Sequence, residues 1–272
     1  MKVQFLGVGS QFSGHDQYHS NMVITAPSGK RMLIDCGSDA KFSLAECGLR
    51  PVDLDAIYIS HLHADHIGGM EWLALSTYFS PERKRLTLFC EEQLQDKLWN
   101  NSLKGGLECL GERSMHLADY FACHALSDGG GFAWQDIHFK LVRMPHIGGG
   151  CCSSFSYGLM VDGSNVESQL LFISTDTLFQ PELLQSIAGD VAAIFHDCET
   201  ASLKTTVHAH YDQLCTLPDT VKDKIWLYHY QPDSGYIPGD DGFRGFVVKG
   251  QEFSFPPRRL SDYTGRSEKS DV

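Results

Sequence analysis

The stretch that decides the fold is Ile57-Tyr58-Ile59-Ser60-His61-Leu62-His63-Ala64-Asp65-His66-Ile67-Gly68-Gly69. Its first residues are apolar or β-branched and predict a short buried strand. Four side chains that can bind a metal, three histidines and one aspartate, follow within six residues. His61 and His63 alternate, so in an extended segment they point the same way, and Asp65 and His66 open a predicted helix. Imidazole and carboxylate are usual ligands of zinc, so the stretch predicts a metal site where a strand ends.

Short apolar or β-branched runs recur along the chain and predict strands, because Gly, Pro, Asp or Ser bounds each of them. The predicted strands are Val3–Leu6, Met22–Thr25, Met32–Ile34, Ala56–Ile59, Leu86–Phe89, His138–Val142, Leu170–Ile173, Ala192–Phe195 and Ile225–Tyr228. Apolar residues at helical spacing predict helices over Ala40–Cys47, Ile67–Tyr78, Glu91–Trp99, Pro181–Ile187 and Tyr211–Leu217. Short strands that alternate with helices favour the α/β or α+β class, and a sandwich over one long parallel sheet.

The composition is that of a folded globular chain. Its 272 residues are 42% hydrophobic and 21% charged, which excludes a disordered chain, a collagen and a disulfide-framed miniprotein. We expect a single domain over residues 1–255 and a polar, flexible tail over 256–272. Residues 104–134 resist assignment to regular structure and are expected to form a lid or substrate-binding excursion.

The charge balance narrows the class of partner. The formal net charge is −12, whereas surfaces that bind a phosphate backbone carry clustered Lys and Arg. The short basic runs Arg83-Lys84-Arg85 and Arg258-Arg259 are expected to be solvated surface. A long RNA is therefore a less favoured partner than a small anionic ligand.

The cysteines and the chain start give expectations about compartment. The first residues are a poor signal peptide, and no apolar run reaches the length of a membrane span. The nine cysteines are an odd number without a C-x-x-C pair, which favours a reducing cytoplasm. Adjacent Cys151 and Cys152 are expected to begin a buried strand.

The H-x-H-x-D-H pattern of residues 61–66 resembles the signature of the metallo-β-lactamase superfamily, and later elements match that family in order. His146 follows a predicted strand, Asp176 ends another with Thr175 where the family often has Gly, and His229 follows a third. The resemblance covers about residues 1–235. It implies an α+β fold, a four-layer αββα sandwich of two mixed β-sheets flanked by helices.

The same resemblance implies a dinuclear zinc site. The ligands of one ion would be His61, His63 and His146, those of the second Asp65, His66 and His229, and Asp176 would bridge both. His63 stands where the flavodiiron branch has Glu, which argues against iron, although Mn²⁺ and Fe²⁺ stay open as alternatives. Two such ions clamp an attacking hydroxide and polarise the scissile centre, and Asp65 would also help to hold the nucleophile.

Two further segments resemble ribonuclease Z. Residues 196–200, His-Asp-Cys-Glu-Thr, are similar to its H-E-A-T segment, and residues 207–210, Val-His-Ala-His, to its H-S-T segment. In that family an acidic residue orients a histidine that protonates the leaving oxygen. The resemblance implies Asp197 as the acidic residue and His208, or else His210, as the proton donor, a role that contributes about 10²–10⁴-fold.

The length of one connection selects a branch of the superfamily. Ribonuclease Z enzymes usually carry a long RNA-docking arm between the lone histidine and the bridging aspartate, but only 29 residues separate His146 from Asp176 here. The chain resembles ribonuclease-Z-like phosphodiesterases that open 3′,5′-cyclic nucleotides, which implies a small anionic substrate and a homodimer. The alternatives are an RNA 3′-end endonuclease, a hydrolase of lactones or thioesters, and a non-enzymatic metal-stabilised protein.

Overall fold

The computed structural model describes residues 1–148, 154–163 and 170–255. Its strands, in chain order, are β1 (Lys2–Phe5), β2 (Met22–Thr25), β3 (Arg31–Ile34), β4 (Ala56–Ile59), β5 (Leu86–Glu91), β6 (Cys109–Leu110), β7 (Arg113–Ser114), β8 (Phe121–Leu126), β9 (Gly131–Trp134), β10 (Ile137–Ile147), β11 (Ser154–Asp162), β12 (Leu170–Ile173), β13 (Val191–Asp197), β14 (Ile225–Tyr228), β15 (Gly245–Phe246) and β16 (Glu252–Ser254). The expectations for Cys151-Cys152 and for the tail at 256–272 lie outside the described residues.

The helices are short and connect the strands. They are α1 (Ala40–Glu46), α2 (Ala64–Ile67), α3 (Met70–Tyr78), α4 (Glu92–Leu98), α5 (Lys104–Leu107), α6 (Leu117–Tyr120), α7 (Pro181–Ile187), α8 (Tyr211–Leu214) and α9 (Asp219–Lys222). A 3₁₀ turn spans Pro51–Asp53, and a π-helical turn at Trp99–Leu103 continues α4. No helix within the described ranges is both long and apolar enough to cross a membrane.

Two seven-stranded sheets form the centre of the fold. The first has the order β16-β1-β2-β3-β4-β5-β8, and the second β15-β14-β13-β12-β11-β10-β9. In the first sheet, β16 to β3 pair antiparallel and β3, β4, β5 and β8 pair parallel. The second sheet likewise pairs parallel from β15 to β12 and antiparallel from β12 to β9. Both sheets are therefore mixed, as predicted.

Alternating side chains divide each sheet between two cores. In β4, Tyr58 faces the core between the sheets, while Ile57 packs against the helices outside the first sheet. In β13, Phe195 faces the same central core, and Ile194 packs under the helices outside the second sheet. This period of two produces helix, sheet, sheet and helix layers. The predicted four-layer αββα sandwich is confirmed.

The helix predicted over Ile67–Tyr78 was wrong in one respect, because the structure divides it into α2 and α3 at Gly68-Gly69. The chain passes very close to another segment here: a Cβ on Gly69 would lie 2.4 Å from the carbonyl oxygen of Gly37. The Gly69 N–H donates to the carbonyl of Cys36 at 2.8 Å. This contact locks the loop that follows β4 against the loop that follows β3.

Residues 104–134 contain regular elements that the sequence analysis did not assign. Strand β8 pairs with β5 at the edge of the first sheet, and β9 pairs with β10 at the edge of the second. Leu107, Met115 and Tyr120 are buried in the core under the first sheet, which makes them part of the sandwich. The role of this stretch as a lid, and the domain bounds of 1–255, stay predictions.

Candidate metal centre and active site

The predicted metal ligands lie close together because each of them is at or near the end of a strand. Strand β4 stops at Ile59, and the following seven residues carry the first four ligands into α2. In the second sheet, His146 lies near the end of β10, Asp176 three residues after β12, and His229 directly after β14. Because both sheets contribute, the cluster lies where the two edges meet.

The first group of donors surrounds a point between three imidazole rings. His63 Nδ1 lies 3.1 Å from His61 Nε2 and 3.0 Å from His146 Nε2. Asp176 Oδ2 is 3.6 Å from His61 Nε2 and 3.8 Å from His146 Nε2. Ligand nitrogens around a tetrahedral zinc ion lie about 3.3 Å apart when Zn–N is about 2.0–2.1 Å. The spacing of the three nitrogens therefore fits a single small cation.

The second group shares the same aspartate oxygen. Asp176 Oδ2 lies 3.2 Å from His66 Nε2 and 3.4 Å from His229 Nε2. Asp65 Oδ2 is 3.5 Å from His66 Nε2 and 3.8 Å from His229 Nε2. Within each group the candidate ligand atoms lie within 4.8 Å of one another. Asp176 is the carboxylate common to both groups, which is the position the sequence analysis expected for it.

Asp35 and Ser60 orient two of the rings. Asp35 Oδ1 accepts the Ser60 N–H at 2.8 Å, while Oδ2 accepts the Ser60 hydroxyl at 2.6 Å and the His66 Nδ1–H at 2.7 Å. Since the hydroxyl has only one hydrogen to give, Ser60 Oγ accepts from His61 Nδ1 at 3.0 Å. Both rings thus keep Nε2 as a free electron pair that faces the cluster, as ligating histidines require.

Two further rings are held in the same way. Ser20 Oγ donates to the Gly9 carbonyl at 2.8 Å and so accepts from His229 Nδ1 at 3.0 Å. The His146 Nδ1–H donates to the Val207 carbonyl at 2.8 Å. Asp35, Ser60 and Ser20 were missed as functional residues by the sequence analysis. The one available signal was that Asp35 directly follows a buried strand.

The centre of the cluster holds buried polar atoms without a hydrogen bond of normal geometry among the described residues. These atoms are His66 Nε2 and both carboxylate oxygens of Asp176, and such atoms are costly unless something pairs with them. Burial lowers the pKa of His146 to about 4 and that of His229 to about 3. Burial opposes charge on Asp176, yet the neighbouring histidines, His229 first, hold its pKa well below the usual range. Neutral imidazoles next to an ionised carboxylate are the state that binds metal, and His146 and His229 fit it. The carboxylates around His66, Asp176 first, overcome its burial and raise its pKa, and a bound cation would take the place of that proton.

Three residues at the cluster have backbone angles that favour glycine. Asp35 has φ 60°, Thr175 φ 52° and His229 φ 68°. Each such residue costs about 1–3 kcal/mol and persists where the surroundings determine it. The left-handed angle at Thr175 explains why glycine is common in that position of the family pattern. It also aims the next side chain, Asp176, back at the cluster.

His208 and Asp197 form a pair beside the metal cluster. His208 Nδ1 donates to Asp197 Oδ2 at 2.8 Å and lies 4.0 Å from Asp176 Oδ2. The Thr177 N–H also donates to Asp197 Oδ2 at 2.9 Å, which fixes that carboxylate. Burial opposes the charge on His208, but the Asp197 carboxylate prevails and raises the pKa of His208 to about 9. The imidazole can thus carry a proton at neutral pH with its Nε2 left for a ligand.

His210, the alternative proton donor, has both nitrogens occupied. Its Nε2–H donates to the Ala201 carbonyl at 3.1 Å, and its Nδ1 accepts the Asp212 N–H at 3.1 Å as the N-cap of α8. The ring is 3% exposed and lies outside the cavity at the cluster. The geometry therefore favours His208 over His210.

A cavity of about 350 Å³ opens onto the cluster. Its lining includes His63, Asp65, Asp176, His208 and His229 of the cluster and the neighbouring residues Ser10, Gln11, Phe12, Ala64, Glu199, Thr205, Val207 and Gln231. This volume lies in the range of small-ligand sites. All seven predicted ligands and the Asp197–His208 pair come together here, while their functional roles stay predictions.

The fold has clear neighbours among solved structures. It is similar to the metallo-β-lactamase fold protein YhfI from Bacillus subtilis, with a TM-score of 0.68 and 14% identity over 93% of this chain and 98% of that chain. It is also similar to the short form of human tRNase Z (ELAC1), with a TM-score of 0.66 and 17% identity over 94% and 100% of the two chains. These likenesses show the metallo-β-lactamase fold, as the sequence predicted.

The comparison of sequences is more specific. The model of the family anti-Pycsar protein Apyc1 matches residues 1–253. The Apyc1 protein of Paenibacillus xerothermodurans is 34% identical over 261 residues, which cover 94% of this chain and 98% of that protein. The chain belongs to the Apyc1 family of anti-Pycsar proteins.

Proposed function

We propose that this enzyme hydrolyses 3′,5′-cyclic nucleotides to mononucleotides. The observation that carries the proposal is the Asp197–His208 pair, because it places a protonated imidazole next to the metal cluster. An alkoxide that leaves phosphorus needs a proton, whereas the thiolate that leaves a thioester needs no such donor. Membership of the Apyc1 family supports the same assignment.

We assign two zinc ions to the cluster, as the donor set suggests. His61, His63, His146 and Asp176 would hold one ion, and Asp65, His66, Asp176 and His229 the other. Ions held there supply a nucleophile at neutral pH and positive charge that neutralises the phosphate oxygens. Imidazole and carboxylate donors without thiolate suit zinc, and Mn²⁺ or Fe²⁺ would fit the same atoms.

The protein residues then move one proton along a defined route. Asp65 lines the cavity, where its carboxylate would orient the attacking water. His208 gives its Nε2 proton to the departing ribose oxygen, while its Nδ1–H stays bonded to Asp197. Asp197, fixed by Thr177, stabilises the imidazolium before transfer and holds the ring in position.

Charge and cavity size favour a small substrate over RNA. The cavity of about 350 Å³ suits a single nucleotide, and the net charge of −12 opposes a long polyanion. In the first of the two basic runs, Lys84 is engaged in contacts at the protein surface: its Nζ contacts Asp55 Oδ1 at 2.9 Å and the Val52 carbonyl at 3.0 Å. The second lies outside the described residues.

Assembly and compartment complete the proposal. We propose a homodimer in a reducing cytoplasm. The seven cysteines that the structure describes are all free thiols, which suits such a compartment. Light scattering of the purified full chain tests the dimer.

A hydrolysis panel tests the proposed reaction. The zinc-loaded enzyme would be assayed on 3′,5′- and 2′,3′-cyclic nucleotides, a linear aryl phosphodiester, pre-tRNA and a lactone. We expect the highest kcat/KM on 3′,5′-cyclic nucleotides. His208→Ala should lower kcat by about 10²–10⁴-fold with its metal content unchanged, whereas His63→Ala should lose both metal and activity.

Other outcomes of the panel would reassign the enzyme. Preferred cleavage of pre-tRNA, with binding that falls steeply with salt, would indicate an RNA endonuclease. Preferred hydrolysis of the lactone, unaffected by His208→Ala, would indicate an acyl hydrolase. The absence of turnover on every substrate would indicate a non-enzymatic metal protein.

A further inference from the structure

A turn in the wall of the cavity, closed by hydrogen bonds between Ser10 and Ser13, carries Phe12. The Ser10 N–H donates to Ser13 Oγ at 2.9 Å, and the Ser13 N–H donates back to the Ser10 carbonyl at 3.0 Å. Ser13 Oγ in turn donates to Gln17 Oε1 at 3.1 Å. A Cβ on Gly9 would lie 2.2 Å from Ser13 Oγ, so the turn folds tightly on its own base.

This turn is anchored to His229, the candidate ligand that follows β14. The His229 N–H donates to the Val8 carbonyl, and Ser20 Oγ joins the Gly9 carbonyl to the His229 ring. The position of the turn relative to the metal cluster is therefore fixed by hydrogen bonds at its base. A rigid surface binds a ligand at a lower entropy cost than a flexible one.

The ring of Phe12 is open to a ligand. Its residue is 93% exposed, yet it belongs to the wall of the cavity that also contains Asp65, Asp176 and His208. Among the described residues, none of the ring contacts or cation–π contacts involves Phe12. Single exposed apolar residues are ordinary on protein surfaces, and Phe79, 63% exposed, is one of them. The position of Phe12 in this cavity wall is what sets it apart.

The hydroxyl of Ser10, in the same turn, also indicates a ligand site. Ser10 is 5% exposed, and its Oγ finds no hydrogen-bond partner among the described residues. Ser10 also lines the cavity, so its hydroxyl is available to a polar group inside it. Buried polar atoms of this kind call for a partner.

We propose that the Ser10–Ser13 turn binds the nucleoside part of the substrate, with the base stacked on the Phe12 ring. This inference rests on the proposed cyclic-nucleotide function. The phosphate lies at the metal cluster, the Ser10 hydroxyl bonds to the sugar phosphate, and the base extends outward to Phe12. A stack that is equally strong in the ground state and the transition state is uniform binding, so Phe12 acts on KM and leaves kcat unchanged.

The test compares substrates with and without a base. Cyclic AMP and base-free ribose 3′,5′-cyclic phosphate would be hydrolysed by the native enzyme, Phe12→Ala, Phe12→Leu, Phe12→Trp and the matched control Phe79→Ala. Aromatic stacking of one base predicts that Phe12→Ala raises KM for cyclic AMP roughly 5- to 150-fold. Phe12→Ala should leave both constants for the base-free substrate unchanged. Phe12→Trp should keep the native KM, and Phe79→Ala should change nothing.

A Ser10→Ala variant tests the role of the Ser10 hydroxyl separately from that of the Phe12 ring. The loss of one hydrogen bond should raise KM roughly 2- to 10-fold, and equally for both substrates, because both contain the sugar phosphate. A rise in KM confined to cyclic AMP would overturn the placement of Ser10.

Three results would overturn the role of Phe12. The first is an equal rise in KM for both substrates in Phe12→Ala. The second is a native KM for cyclic AMP in Phe12→Leu, which would show that an apolar side chain suffices without an aromatic ring. The third is a change of oligomeric state in Phe12→Ala, seen by light scattering together with a loss of activity on both substrates. If the native enzyme hydrolyses neither of the two substrates, the proposed function itself is refuted.

Discussion

Oδ2 of Asp35 lies 2.7 Å from Nδ1 of His66, so a carboxylate outside the predicted ligand set fixes a ring inside it. The same oxygen accepts the Ser60 hydroxyl, and Ser60 in turn positions His61. One aspartate thereby orients a candidate ligand in each of the two groups. Changes at Asp35 should therefore weaken metal binding by both groups of ligands.

Asp35→Asn tests this relationship. The amide keeps the volume of the side chain but replaces one acceptor oxygen by a donor, which opposes His66 or Ser60. We expect metal affinity to fall about 10- to 100-fold, measured by competition with a chelating indicator. Asp55→Asn is the matched control, because Asp55 pairs with Lys30 and Lys84 at the surface. Native affinity in Asp35→Asn would show that His66 needs no such support.

The Asp197–His208 pair gives a titration that can be measured in metal-free protein. Its folded pKa of about 9 exceeds the unfolded value of about 6.5, because Asp197 stabilises the imidazolium. Burial raises the pKa of Asp197 to about 6, so the charged pair forms only above about pH 6. The stability that it contributes is lost as pH rises through about 9, where His208 loses its proton. Histidine NMR titration should show this high pKa.

Asp197→Asn should lower the pKa of His208, because burial is then opposed only by the weaker effects of Asp176 and Glu199. Asp128→Asn, which changes an exposed partner of Arg143, should leave the His208 titration as it is. A native titration in Asp197→Asn would contradict the assigned pair.

His210 should behave as a structural residue. Its ring caps α8 and ties the chain to the Ala201 carbonyl, so His210→Ala removes two buried hydrogen bonds. We expect the free energy of unfolding to fall by about 2 kcal/mol in urea melts. His210→Asn should recover about half of that loss, since asparagine is a good N-cap. A kcat as low as that of His208→Ala, in protein that remains folded, would argue against this role.

The core between the sheets should dominate stability. The ring of Phe195 is buried, with its centroid 5.1 Å from that of Phe5 and 4.8 Å from that of Phe253. Phe195→Ala should lower the free energy of unfolding by about 3–5 kcal/mol. Phe79→Ala removes the same ring from an exposed position and should stay within about 0.5 kcal/mol of native. An equal fall in the free energy of unfolding in the two variants would contradict the assignment of Phe195 to the core.

The predictable parts of this fold are those in which neighbouring residues carry the information. The run from Ile57 to His66 predicts a strand and four candidate ligands within ten residues. Each later ligand also lies near the end of a strand. The nine predicted strands all occur, four with the predicted bounds and five with shifted bounds. By contrast, β11 contains Ser154, Ser156 and Gly158, which weaken the strand pattern although its pairing with β10 is extensive.

The supporting contacts could not be predicted, because they join distant parts of the chain. Ser20 reaches His229 across 209 residues, and Asp35 reaches His66 across 31. Neither serine nor aspartate has a local pattern that announces such a partner. The edge strands β8 and β9 were missed for a related reason: their Cys, His and Gly residues have little strand preference, and pairing with β5 and β10 stabilises them.

The two sheets contribute separate halves of the cluster, and this has a consequence for folding during synthesis. His61 and His229 are 229 − 61 = 168 residues apart, so the site stays incomplete until almost the whole described chain has left the ribosome. An ion that binds only the finished cluster then joins the first sheet to the second, as a cross-link would. At a thousandfold excess over its Kd, such an ion adds about 4 kcal/mol to stability. Metal supply would thereby control how much of the newly made chain survives as folded enzyme.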